Sequence, residues 1–278
     1  MSTTTIEVPR PASAEPAPSA AGVGRVTLPN VARSEWIKFR TLRSSWVTLG
    51  SAVLAMVAIG LVIGYNVGKN YTGLAPEDVA PSGILQGYFL AQLLIGVLGV
   101  LFVSGEYGTG MIRSTLAAVP RRVPVLVAKA VVFGSIALVT MVASTFAAYF
   151  GGQLFLSSYG HGGSLSDPGA LRAVIGTGVY LALIGLLGGA LGWIIRSTAG
   201  GISTLVGILL VVPVVFQLLP GAWAADVLKY LPSEAGGAFV TSVSLPGTLA
   251  PWTGLGVLVA WVAAAMLAAA VLLRRRDA

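Results

Sequence analysis

The chain has 278 residues, of which 17 are Lys or Arg and 10 are Asp or Glu, with a mean hydropathy of +0.86. So little charge excludes an ordinary soluble domain, in which roughly a quarter of residues are charged. The absence of cysteine excludes disulfides, thiolate zinc sites and cysteine nucleophiles.

Met1–Gly24 is rich in Pro, Ala, Ser and Thr and has no apolar core of signal-peptide length. It reads as a disordered cytoplasmic tail, with the tail region ending at residue 28. The next stretch, Val31–Ser45 ("VARSEWIKFRTLRSS"), is expected to be helical. At 100° per residue Val31, Trp36, Phe39, Leu42 and Trp46 fall within roughly 140° of one another. Glu35 and Arg43 interrupt that stripe. Lys38 and Arg40 beside tryptophans fit a helix lying at the lipid headgroups. They equally fit a basic flank with interfacial Trp, and the two roles are compatible.

Six stretches then contain no Asp, Glu, Lys or Arg: Trp46–Tyr65, Ile84–Ser104, Ala130–Leu156, Ala173–Ile195, Thr198–Leu219 and Thr253–Leu273. Each reaches the roughly 20 residues a helix needs to cross about 30 Å of hydrocarbon. None alternates as a transmembrane β-strand would. The fold expected is all-α and integral to the membrane: six transmembrane helices over residues 29–278, led by an amphipathic interfacial helix. With the N-terminus inside, all basic residues except Lys69, Arg172 and Lys229 fall on the cytoplasmic side. That bias sets the orientation, with both termini cytoplasmic, and it accounts for the net charge of +7 without nucleic acid.

Between spans 1 and 2 lies a short outer loop, "KNYTGLAPEDVAPSG". Spans 2 and 3 are joined on the cytoplasmic side by residues 104–123, beginning "SGEYGTGMIRSTLAAVPRR". Its later half can form a short helix bearing Arg113, and Pro120 and Pro124 bracket Arg121 and Arg122. Glu106 at the membrane edge is costly unless paired, with Arg113, Lys129 or a residue of the leading helix as partner. Such a loop is either a stiff mechanical contact or a plain connection. His161, in the outer loop "SSYGHGGSLSDPG", reads as part of a solvated turn. The turn "WIIRSTAGG" makes spans 4 and 5 an antiparallel hairpin, and Pro213 should kink span 5. Residues 220–251 are too broken by Pro and Gly for a span and are expected to form short outer helices.

Gly60 and Gly64, Gly185 and Gly189, and Gly188 and Gly192 stand four apart, a spacing that lets helices approach closely. They serve either packing within one chain or self-association. Gln92, Gln153 and Gln217 either bond between helices or line a pathway. Catalysis finds no foothold, because no nucleophile–base–orienter set and no acid pair at helical spacing lies within a span. A pump driven by protons or sodium needs ionisable groups deep in the membrane, and only Glu106 and Lys129 come near.

At the 104–123 loop the sequence resembles the ABC-2 family of transporter permeases, membrane subunits of bacterial ATP-driven exporters. The residues that carry the likeness are Glu106, Tyr107, Gly110, Ile112, Arg113, Thr115–Ala117, Pro120, Arg121 and Lys129. Met111 departs from the Thr common in the family after the Gly. Lys229–Ala238 ("KYLPSEAGGA") is similar to the family's outer segment, and the order of spans and loops agrees along roughly Val31–Arg276.

The resemblance implies a homodimer in the bacterial plasma membrane, bound to two cytosolic ATPase subunits and surrounded by lipid. It implies that Glu106, Tyr107, Gly110, Met111 and Arg113, with Pro120, Arg121 and Arg122, form the coupling contact with the ATPase. The leading helix, through Trp36, Lys38, Phe39 and Arg40, would lie beside it. The chain has no GxxxxGK[ST] phosphate loop, so ATP and Mg²⁺ belong to the partner. This chain would be a pathway rather than an enzyme, with no cofactor and no metal of its own. The implied cargo is hydrophobic or amphiphilic: a drug, a peptide or a lipid. The rival expectations are a membrane enzyme, an ATP-independent carrier or channel, and a sensor or assembly subunit of the same fold.

Overall fold

Six helices in the computed structural model are long and apolar enough to cross a membrane: Arg43–Lys69, Gly83–Gly108, Val123–Ser158, Ala170–Ile195, Thr198–Leu218 and Pro251–Arg275, numbered here spans 1 to 6. The structure describes residues 27–71, 82–118, 122–243 and 246–275; among them there is no strand. The chain is an all-α, multi-pass membrane protein. The expected tail at residues 1–24 and most of the loop between spans 1 and 2 lie outside the described residues.

Most helices overrun the charge-free runs of the sequence, taking in Arg43, Lys69 and Lys129. A helix does not stop where its apolar residues do, because only continued winding satisfies its backbone groups near lipid. Span 3 is the extreme case. Its 36 residues reach about 54 Å at 1.5 Å per residue, well beyond the hydrocarbon. Pro124 sits in its first turn, where a missing N–H costs nothing.

Spans 2 and 4 form the centre. About two-thirds of the most apolar window of each is buried, against 22% in span 5 and 17% in span 6. Their mutual contact is the most extensive in the molecule, followed by those of span 3 with spans 1 and 4. Small residues make this possible. A Cβ on Gly99 would fall on the Gly185 carbonyl, and one on Gly188 would fall on the Gly96 carbonyl. One on Gly64 would lie 2.6 Å from the Gly152 Cα. The glycines spaced by four therefore pack spans 4 on 2 and 1 on 3 within one chain. Gln92 contributes in the same way, accepting a hydrogen bond from the Tyr180 hydroxyl across the span 2–span 4 contact. Gln153 instead accepts from the Gly163 N–H at 2.7 Å and orders the loop after span 3.

The leading helix runs over Leu28–Thr41, four residues short of the expected end, and Leu42 adopts an extended conformation (φ −80°, ψ 108°) before span 1 begins. The break frees carbonyls at the helix end. Trp46 donates its indole N–H to one of them, Arg40, at 3.0 Å. The buried face is Val31, Glu35 and Phe39, spaced i, i+4, i+8. Trp36, Leu42 and Trp46 are exposed, so the apolar stripe traced on the sequence is rotated from the one that packs.

Span 5 opens with Ser197 as its cap, accepting from the Gly200 N–H. It contains a π-helical turn at Gly207–Val211, two residues before Pro213. The proline lacks an N–H and its ring crowds the preceding turn, and the widened turn accommodates both. Two short helices follow, Ala222–Leu228 and Pro232–Val240. The second packs on spans 4 and 6, and Arg172 at the start of span 4 donates to the Phe239 carbonyl at 2.9 Å. His161 is exposed and stacks on Tyr71, with ring centres 3.6 Å apart.

Candidate functional site: a buried charge cluster at the foot of spans 2 and 3

Glu106 lies in the last turn of span 2 and Lys129 near the start of span 3, while Glu35 and Lys38 stand three apart on the leading helix. The four side chains meet in an alternating ring. Lys129 Nζ is 2.7 Å from Glu35 Oε2 and 2.8 Å from Glu106 Oε1. Lys38 Nζ is 2.7 Å from Glu35 Oε1 and 2.9 Å from Glu106 Oε1. Two cations and two anions leave the ring neutral. Glu35 is 0% exposed, Lys129 2% and Glu106 4%, so these charges have been taken out of water.

Removing an ion from water costs several kcal/mol even after relaxation, and only good geometry offsets it. Here each ammonium meets three oxygens: all three accept hydrogen bonds from Lys38, matching its three donors, and two of the three do so from Lys129. Lys129 donates to the Phe102 carbonyl at 3.2 Å as its third contact, and also lies 4.2 Å from the centre of the Phe102 ring. Lys38 takes Thr115 Oγ1 at 3.4 Å as its third. Burial works to lower the Lys38 ammonium, but hydrogen bonds and charge from Glu35 and Glu106 outweigh it and hold its pKa above the usual lysine value. The satisfaction is not complete on the acid side. Glu35 Oε2 meets Lys129 at ion-pair distance but outside hydrogen-bonding direction, and Glu106 Oε2 is buried with no hydrogen bond.

Thr115 joins the ring to the loop. Met111–Ala118 is a two-turn helix entered through Gly110, whose φ of +72° is the left-handed conformation that favours glycine. Ile112 and Leu116, one turn apart, are buried in a cluster with Val31, Val125, Trp193 and Leu273. The opposite face presents Met111, Arg113 and Ser114 to solvent. The leading helix, the loop helix and the feet of spans 2 and 3 are thereby one packed unit. Phe39 strengthens it with edge contacts to Phe102 and Trp46 at 5.6 and 5.8 Å.

Of the residues singled out on the sequence, Glu106, Lys129 and Lys38 form the ring and Phe39 packs beside it. The partners of Glu106 are Lys129 and Lys38; Arg113 points away on the exposed face. Tyr107 packs edge-on against Trp193 at 6.0 Å, with the Arg196 guanidinium 5.4 Å from its ring centre. Arg122 donates to the Leu273 carbonyl at 3.2 Å, tying span 3 to the end of span 6. Trp36 and Arg40 are exposed. Pro120 and Arg121 lie outside the described residues.

Glu35 is the residue that sequence reasoning misses, because along the chain it is only a flaw in an apolar stripe. The signal was present in that very flaw. An acid in the apolar face of a helix beside a membrane is costly alone, so a cation must face it, and Lys129 does. Compared with known proteins, the chain matches no family model and no curated protein.

Proposed function

We propose that this chain is the membrane-spanning permease subunit of an ATP-driven exporter of the ABC-2 kind. It works as a homodimer with two separate cytosolic ATPase subunits, in the bacterial plasma membrane with both termini cytoplasmic. The observation that carries this reading is the charge ring that clamps the loop helix and leading helix onto spans 2 and 3. A loop that only connected two spans would have no use for three buried charges and a half-buried fourth. A loop that receives a push needs stiffness, because a compliant hairpin would absorb the displacement instead of passing it on.

In this reading Met111 and Arg113 face the ATPase, with Gly110 and Tyr107 setting the angle of the loop helix. Ile112, Leu116 and the Thr115–Lys38 contact transmit the motion to the ring, and Glu106 and Lys129 deliver it to two spans at once. The leading helix lies at the cytoplasmic headgroup level with Trp36 and Arg40 outward. The sparse charge of the spans suits a hydrophobic or amphiphilic cargo.

The test is co-purification from mild detergent of the chain expressed with its genomic neighbours. The expected result is a stoichiometric ATP-hydrolysing subunit, lost or uncoupled on Arg113→Glu while the chain remains in the membrane. A well-extracted chain that purifies without any ATPase would overturn the proposal and favour an ATP-independent carrier or a sensor.

A further inference from the structure

A cavity lies far from the charge ring. Tyr88, on its wall, stands eighteen residues before Glu106 on span 2, about 27 Å along the helix axis. The cavity is about 280 Å³ and is lined by spans 2, 4 and 5 and the short helix Pro232–Val240. That is near the lower end of ordinary ligand pockets, roughly 300 to 1,000 Å³. The wall supplied by span 5 is mostly apolar, with Leu209 of the π-helical turn and Pro213 ahead of Gln217. The wall supplied by span 2 and the short helix is more polar, with Tyr88, Gln92, Ser233 and Glu234 beside Phe89.

Two features of the polar wall are unexplained by packing. Glu234 is half-buried and makes no hydrogen bond or ion pair among the described residues. The nearby Lys229 is taken by Asp226 at 2.8 Å. Burial pushes the Glu234 carboxyl up, the mark of a charge without a counter-ion. Ser233 Oγ is buried with no hydrogen-bond partner. An acid in the first turn of a helix is ordinarily solvated at the surface, where the helix dipole favours it; this one faces a cavity instead. Among the described residues no Lys, Arg or His lines the cavity, so an anion there would meet an uncompensated carboxylate. A cation would find one negative charge, the rings of Tyr88 and Phe89, and an apolar wall for its body.

We infer that this cavity binds an amphiphilic monocation, an apolar or aromatic body carrying one amine or quaternary ammonium, with Glu234 as its counter-ion. As a statement about cargo this rests on the permease reading; as a statement about binding it stands on the cavity alone. Ser233 supplies a hydrogen bond to an N–H of the bound amine, and the π-helical turn shapes the wall on which the apolar body lies.

The experiment is ethidium binding to the purified full chain in lipid nanodiscs, read by fluorescence. Saturable binding is expected, displaced by tetraphenylphosphonium but not by the neutral triphenylmethanol. Glu234→Gln, which keeps the side-chain shape, should weaken ethidium at least about tenfold. Glu234→Asp should retain most of the affinity, and binding of the anion 8-anilinonaphthalene-1-sulfonate should not weaken with either variant. Should Glu234→Gln fail to fold, displacement from the wild-type chain decides alone. Absent saturable binding, equal binding to Glu234→Gln, or displacement by triphenylmethanol as effective as by the cation would overturn the inference. Ethidium binding to a chain that recruits no ATPase would leave the cavity standing and remove the permease reading; the reverse pattern would do the opposite.

Discussion

Replacing Lys129 with Met removes the most enclosed cation of the ring while keeping the apolar stem. Lys129 faces Glu35 and Glu106 at 2.7 and 2.8 Å, and Lys38 alone is left to balance both carboxylates. The ring then carries one uncompensated negative charge in a site where Glu35 is fully buried. Breaking a buried ion pair from one side costs about 3–5 kcal/mol. An independent route gives a ceiling: the site can neutralise itself by protonating one carboxyl, and at neutral pH that costs about 3.5 kcal/mol for an ordinary Glu at 1.36 kcal/mol per pKa unit. The expected loss is therefore about 3–3.5 kcal/mol at neutral pH, shrinking toward about pH 5 as the proton becomes available. The double variant Lys129→Met/Glu35→Gln leaves Lys38 with Glu106, a neutral pair. It should be more stable than Lys129→Met by roughly 2 kcal/mol, a strongly non-additive result. Reversible unfolding in mixed micelles reads all three proteins. A single variant costing under about 1 kcal/mol, or a double variant at least as unstable as the single, would refute the ring as a coupled unit.

The close approach of spans 2 and 4 predicts opposite outcomes for two glycines. Gly188→Ala drives a Cβ into the Gly96 carbonyl and should destabilise by about 1–3 kcal/mol, whereas Gly105→Ala meets nothing within 4 Å and should be neutral or stabilising by up to about 1 kcal/mol; melting temperatures in one detergent compare them. Lys38 makes a prediction in pH. Because its folded pKa is raised above the unfolded value of 10.5, its contribution is complete below 10.5 and lost as pH rises through the folded value. Stability measured from about pH 9 to about pH 11.5 should therefore fall more steeply for the wild type than for Lys38→Met, and parallel curves would contradict it.

Crossing a membrane is a property that can be read along the chain in one dimension. A run of about twenty residues without charge satisfies its backbone only as a helix, so the six spans, their order and the helical class were legible before any contact was known. The break in span 5 was legible for a local reason too: Pro213 sits where span 5 loses its regular winding. What the sequence could not supply was the rotation of each helix about its axis and the identity of its neighbour. The leading helix buries Glu35 rather than Trp36 because Lys129, 94 residues away, lies opposite, and a buried ion without its partner would cost more than an exposed indole. The glycines spaced by four announced close packing, but that they meet within one chain depended on which spans lie side by side. Charges and small residues act through what faces them, and tertiary structure decides what that is.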